Sequence, residues 1–98
     1  MNIMKLITAV VRPFKLDELR NAVAQLGVQG MTVDEVIETE FGARAKVEIA
    51  VADGIFEPVV EAVANVARTG RRGDGRITVR KLEQTIRIRT GEVGEAAT

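Results

Sequence analysis

The sequence predicts an α+β domain in which a strand–helix–strand unit occurs twice in succession. Three observations carry this. Apolar residues alternate with a period of two in several short stretches, apolar stripes of helical spacing lie between them, and glycine or proline marks the junctions. The 98 residues make one domain, spanning 1–98, long enough to bury a single core.

From Ile3 to Val11, β-branched and apolar residues dominate, interrupted only by Lys5 and Thr8, and Pro13 closes the strand. Leu16, Leu19, Val23 and Leu26 then recur at helical spacing opposite Asp17, Glu18 and Arg20, with Gly27 as a C-terminal stop. Met31 to Ile37 alternates again. In the second half, Val47, Ile49 and Val51 alternate with Lys46, Glu48 and Ala50, a half-buried strand. Asp53 is placed to cap a helix whose stripe is Ile55, Val59, Val63 and Val66. Pro58 falls in its first turns, where a missing donor costs little, and Gly70 ends it. Ile77 and Val79 open a fourth strand. Ile86 and Ile88, alternating with Arg87 and Arg89, mark a short fifth one, and 92–98 reads as a flexible tail.

Strand–helix–strand taken twice is the ferredoxin-like βαββαβ sandwich, an antiparallel sheet with two helices on one face. Leu6 and Val10 on one alternating set, against Ile7 and Val11 on the other, make the first strand apolar on both sides. The second face is therefore expected to be covered by oligomerisation.

Composition narrows the chemistry. The chain has no Cys and no His, and neither Ser nor Tyr occurs in it. Disulfides, thiolate catalysis, zinc–thiolate sites and the usual general base are excluded. Thr, Lys and carboxylates remain, a poor set for hydrolysis or acyl transfer, so binding and regulation are favoured over catalysis. Fourteen basic residues cancel fourteen acidic ones, which removes the global cationic field that nucleic-acid binding uses. No apolar run reaches the roughly 20 residues of a membrane span and no signal-peptide pattern is read, so a cytoplasmic location is expected.

Two stretches carry functional chemistry. Thr69-Gly70-Arg71-Arg72-Gly73-Asp74-Gly75-Arg76 combines glycines, which let backbone amides line a concavity, with arginines that fork onto phosphate. A plain helix-to-strand turn is the bland alternative, and the stretch lacks the Gly-Lys-Ser/Thr of a Walker loop. In Arg87-Ile88-Arg89-Thr90-Gly91-Glu92, alternation sets both arginines on one face of a strand. A solvated cationic edge is the competing reading there.

These residues, with Arg12-Pro13-Phe14-Lys15-Leu16-Asp17 and Gly30-Met31-Thr32-Val33, resemble the PII signal-transduction proteins, from about Met4 to Glu92. The resemblance implies a homotrimer with adenine-nucleotide sites for ATP, ADP or AMP in the clefts between subunits. It assigns the phosphates to Gly73, Asp74, Gly75 and Arg76, where the family usually has Lys at the last position. Arg keeps the charge and turns a point donor into a fork. Arg87 and Arg89 match arginines that reach phosphate from the neighbouring subunit. Met31, Thr32 and Glu48 fall where the family surrounds adenine and ribose. The regulated partner would be a transporter or metabolic enzyme.

One departure stands out. The family carries a long T-loop between the second and third strands, with a tyrosine that is uridylylated and a glutamine and lysine that help bind magnesium and 2-oxoglutarate. Here only Ile37-Glu38-Thr39-Glu40-Phe41-Gly42-Ala43-Arg44-Ala45 separates Val36 from Lys46. Uridylylation is impossible in that stretch. Arg44 and Lys46 alone could replace the lysine, while Glu38 and Glu40 would repel a keto acid or draw a metal from it. Nucleotide binding independent of magnesium and indifferent to 2-oxoglutarate is therefore expected. An alternative within the family is a sensor of AMP or ADP and a small anion such as bicarbonate, serving carbon metabolism. RNA-recognition domains share the topology but stack bases on strand aromatics, and aromatic residues are only 3% of this chain. An acylphosphatase-like enzyme would need a phosphate loop paired with an asparagine, and none is seen.

Overall fold

Alternation in the first strand decides which side of the sheet meets the helices. The structure is a computed structural model that describes residues 4–28 and 30–94. It contains β1 (Met4–Val11), a single 3-10 turn (Pro13–Lys15), α1 (Leu16–Ala24), β2 (Thr32–Glu38), β3 (Gly42–Ala52), α2 (Asp53–Ala67) and β4 (Gly75–Leu82). The strands lie in the order β2-β3-β1-β4, and every neighbouring pair is antiparallel. This is the ferredoxin-like sandwich, with the two helices on one face.

Ile7, Ala9 and Val11 of β1 and Val47, Ile49 and Val51 of β3 point to the helices. They pack against Leu19 and Val23 of α1 and Val59, Val63 and Ala67 of α2. Each of the larger side chains contributes roughly 1.5–3 kcal/mol by leaving water, so this layer holds the sheet and helices together. Gly27 and Val28 close α1 as the sequence implies: the Gly27 amide donates to Ala24 (3.1 Å) and the Val28 amide to Val23 (3.3 Å), the paired bonds of a Schellman end.

The opposite face is less apolar than expected. Register places Leu6, Val10, Val36 and Ala50 there, but Thr8, Thr32, Lys46, Glu48, Arg76, Thr78 and Arg80 lie among them. Asp53 also differs from its expected role. Ala52 is the N-cap and Asp53 the first helical residue, where its charge suits the helix dipole. Its carboxylate pairs with Lys5 at 2.8 Å, and that ammonium sits 4.2 Å above the Phe56 ring.

The largest differences lie in two connections. The stretch between Val36 and Lys46 is mostly strand, leaving a three-residue turn at 39–41 between the paired Glu38 and Gly42. Gly42 adopts a left-handed φ of 76°, which lets so short a turn close a hairpin. The expected fifth strand does not join the sheet. Residues 85–94 fold back on themselves through one bridge between Ile86 and Val93, with a turn at 88–90. The end of the presumed tail is split: Glu92 to Gly94 belong to this small hairpin, and 95–98 lie outside the described residues.

Candidate functional site

α2 ends at Ala67 and β4 begins at Gly75, so the Gly-Arg stretch is the turn between them. Asp74 organises it. Its carboxylate accepts from the amides of Thr69 (2.8 Å) and Gly70 (3.0 Å), from the Thr69 hydroxyl and from Arg12 Nε (3.3 Å). Arg12 also donates to the Arg72 carbonyl at 2.9 Å, and the Arg71 amide donates to Thr69 Oγ1 at 3.3 Å. The Thr69 hydroxyl above all, then these amides and Arg12, hold the Asp74 carboxyl well below the ordinary aspartate range. Three of the turn's amides thus serve the turn itself. Asp74 is its clamp.

Gly75 is fixed by crowding. Its φ is 116°, and an added Cβ would lie 1.8 Å from the Val10 carbonyl oxygen, because β4 re-enters the sheet there against β1. Gly73 is covered by the β2–β3 hairpin: a Cβ on it would meet the Phe41 ring at 2.8 Å. Arg44, only 7% exposed, reaches over from β3. It donates to the carbonyls of Gly73 (3.3 Å) and Ala43 (3.0 Å), and its guanidinium lies 5.2 Å from the Phe41 centroid. Its buried Nε has no hydrogen-bond partner. Two ion pairs complete the junction, Arg72 with Glu40 at 2.6 Å and Arg76 with Glu38 at 3.1 Å. β2 and β4 are the two edge strands, so the Glu38–Arg76 pair requires the sheet to curl at this end.

The nine residues selected from sequence fall into three groups. Gly73, Asp74, Gly75 and Arg76 share a hollow of about 350 Å³ with Glu38, Phe41, Arg44 and Arg71. Met31, Thr32 and Glu48 share another of about 480 Å³ with Leu6, Gly30, Ala50 and Thr85, and Thr32 is directly opposite Glu48 in the β2–β3 register. A third hollow on the open sheet face joins them, sharing Glu48 with one and Glu38 and Arg76 with the other. Arg87 and Arg89 form the third group and line none of these hollows. They are exposed, and they do not share a strand face because residues 88–90 form a turn. The Arg87 amide donates to the Glu92 carbonyl and the Gly91 amide to the Arg87 carbonyl, both at 2.8 Å. Ile86 and Val93 are more than half exposed beside them, and Ile88 is fully exposed.

Sequence reading missed Arg12 and Phe41 as braces of the turn, and it weighed Arg44 only as a ligand for a keto acid. The alternation Arg44-Ala45-Lys46-Val47-Glu48 does put Arg44 on the open face, but nothing local shows that the sheet curls enough to bring Gly73 to it.

The structure therefore defines a ferredoxin-like domain whose polar residues gather around an arginine-rich glycine turn. The family model for nitrogen regulatory protein P-II matches residues 4–92. The chain belongs to that family. It is 39% identical over 111 residues to nitrogen regulatory protein GlnK of Escherichia coli (strain K12), covering 96% of this chain and 99% of that one. With nitrogen regulatory protein P-II of Rhizobium meliloti (strain 1021) it shares 43% over 108 residues, covering 93% and 96%. A crystal structure of Arabidopsis thaliana PII bound to citrate superposes with a TM-score of 0.89 at 38% identity, covering 96% of this chain and 88% of that chain. Both alignments are longer than the chain's 98 residues, so these relatives carry residues that have no counterpart here. The family is regulatory, and these relatives are named for nitrogen rather than for carbon or bicarbonate. Among the described residues, no helix is long and apolar enough to cross a membrane.

Proposed function

We propose that the chain is an adenine-nucleotide sensor that works as a homotrimer in the cytoplasm and controls a partner protein in nitrogen metabolism. ATP, ADP or AMP lies in a cleft between two subunits. Its phosphates meet the Gly73–Arg76 turn of one subunit and Arg87 and Arg89 of the next, with Met31, Thr32 and Glu48 around the adenosine end.

One observation carries this reading. Two of the three groups of candidate residues line adjoining hollows within one chain, while the arginine hairpin stands apart with Ile86, Ile88 and Val93 exposed. Apolar residues left open on one exposed hairpin are what a missing neighbour would cover. Arg44, one of the two cations considered for 2-oxoglutarate beside Lys46, is buried on the Gly73 carbonyl and under Phe41, which supports nucleotide binding without that ligand.

Light scattering tests the assembly and should give three times 10.6 kDa. Calorimetry tests the ligand. ATP, ADP and AMP are titrated with and without magnesium, and Arg89→Ala is expected to weaken ATP binding about tenfold while the trimer persists. A monomer, or an affinity unchanged by Arg89→Ala, contradicts the shared site.

A further inference from the structure

The hairpin that replaces a long loop does more than shorten the chain. It delivers two carboxylates to the arginines of the glycine turn. Glu38 meets Arg76 Nη1 with both oxygens, at 3.1 and 3.2 Å, and Glu40 meets Arg72 at 2.6 Å. The two pairs are not equivalent. Glu38 is the more sheltered carboxylate, its side chain 27% exposed although Arg76 itself is 61% exposed, whereas Arg72 and Glu40 are 83% and 58% exposed. Screening weakens exposed pairs, and Glu38, the less exposed carboxylate and the one that meets its arginine with both oxygens, makes the discriminating contact. Phe41 against Gly73 and Arg44 on the Gly73 carbonyl fix the hairpin in place, so this carboxylate is held beside the turn.

We propose that Glu38 is a resident anion of the site that sets its selectivity by ligand charge. The inference rests on the nucleotide reading above and adds a residue to it. A phosphate that approaches Arg76 must displace the Glu38 carboxylate or share the guanidinium with it, and whatever charge remains is repelled at short range. The penalty grows with each phosphate on the ligand. AMP, with one phosphate, is affected least, and ATP most. Glu38 thereby lowers the preference for triphosphate that an arginine-rich turn would otherwise have, and it works through repulsion rather than a new attraction.

The test compares ATP and AMP affinities of the intact trimer for wild type, Glu38→Gln and Glu40→Gln, each checked for assembly and melting temperature. Glu38→Gln keeps the side chain's size and one acceptor oxygen and removes its charge. It is expected to tighten ATP about fivefold, equivalent to ~1 kcal/mol, and AMP less than about twofold, with the gain shrinking as salt is raised. Glu40→Gln should change either ligand less than Glu38→Gln does. ATP binding that appears only in Glu38→Gln would also support the inference. Equal tightening of ATP and AMP, no tightening, or weaker ATP binding overturns the selectivity role while leaving the nucleotide site standing. If neither wild type nor variant binds any adenine nucleotide, the nucleotide reading fails and takes this inference with it.

Discussion

The glycine turn at 69–76 and the small hairpin at 85–94 are both rich in arginine, yet the fold treats them differently. The turn is braced from three directions: Asp74 gathers its amides, Arg12 reaches it from the end of β1, and Arg44 with Phe41 covers it from the hairpin. The 85–94 hairpin is held more locally, by one bridge, its own backbone bonds and hydrogen bonds between Thr90 and Glu92, and its isoleucines face water. One half of the candidate site is thus built by its own chain, and in the proposed site the other half is completed by a neighbouring subunit. Functional groups on a braced element are pre-organised, whereas those on a weakly held one gain order only when a neighbouring surface packs on them.

The sharpest way to break the braced half is at Gly75. Gly75→Ala drives a methyl into the Val10 carbonyl at a left-handed φ, and β4 must shift from β1. A loss of at least ~3 kcal/mol in denaturant unfolding is expected, or failure to fold. An alanine scan across 86–93 should cause no such loss in the isolated fold. Equal sensitivity in both regions would erase the contrast.

Asp74 provides a gentler test with a defined pH dependence. Its folded-state pKa is depressed, so its contribution is fully present above the unfolded value of 3.8 and is lost progressively as pH falls from there toward the folded value. Asp74→Ala should lower the melting temperature by about 5 °C at pH 7, and the two proteins should converge between about pH 4 and pH 2. A gap that stays constant down to pH 2 would show that the carboxylate is not the clamp.

The smallest expected effect belongs to 2-oxoglutarate. With Arg44 committed to the turn, millimolar 2-oxoglutarate should change ATP affinity less than about twofold. Tenfold tightening would show that the short hairpin still holds the keto acid, and linkage lets the same coupling be measured from either ligand.

The contrast also explains what the sequence made legible. The core strands and both helices follow from periodicity, because Ile7, Val11, Val47, Ile49, Val59 and Val63 are buried by the same face-forming rule that spaces them. The turn containing Gly73–Arg76 was legible because its glycines mark a helix-to-strand junction locally. Arg44 and Glu38 were not, since their roles depend on a curled sheet that brings β2 and β4 together. The fifth strand misled for a related reason. Ile-Arg-Ile-Arg has the alternation of a strand, but alternation supplies only the faces, and a strand also needs an edge to pair with. Among the described residues, Ile86 bridges only to Val93.

Mixing two damaged chains tests the shared site most directly. In the proposed site Arg76→Ala removes a phosphate-binding guanidinium from the turn and Arg89→Ala removes one from the hairpin, so each homotrimer alone should bind ATP weakly. When the two are unfolded together in equal amounts and reassembled, a site between subunits can draw its turn from one chain and its hairpin from the other. Random assembly of such trimers should restore tight ATP binding in about a quarter of the sites. A site contained within a single chain would recover none, and a mixture no better than its parents would contradict the account.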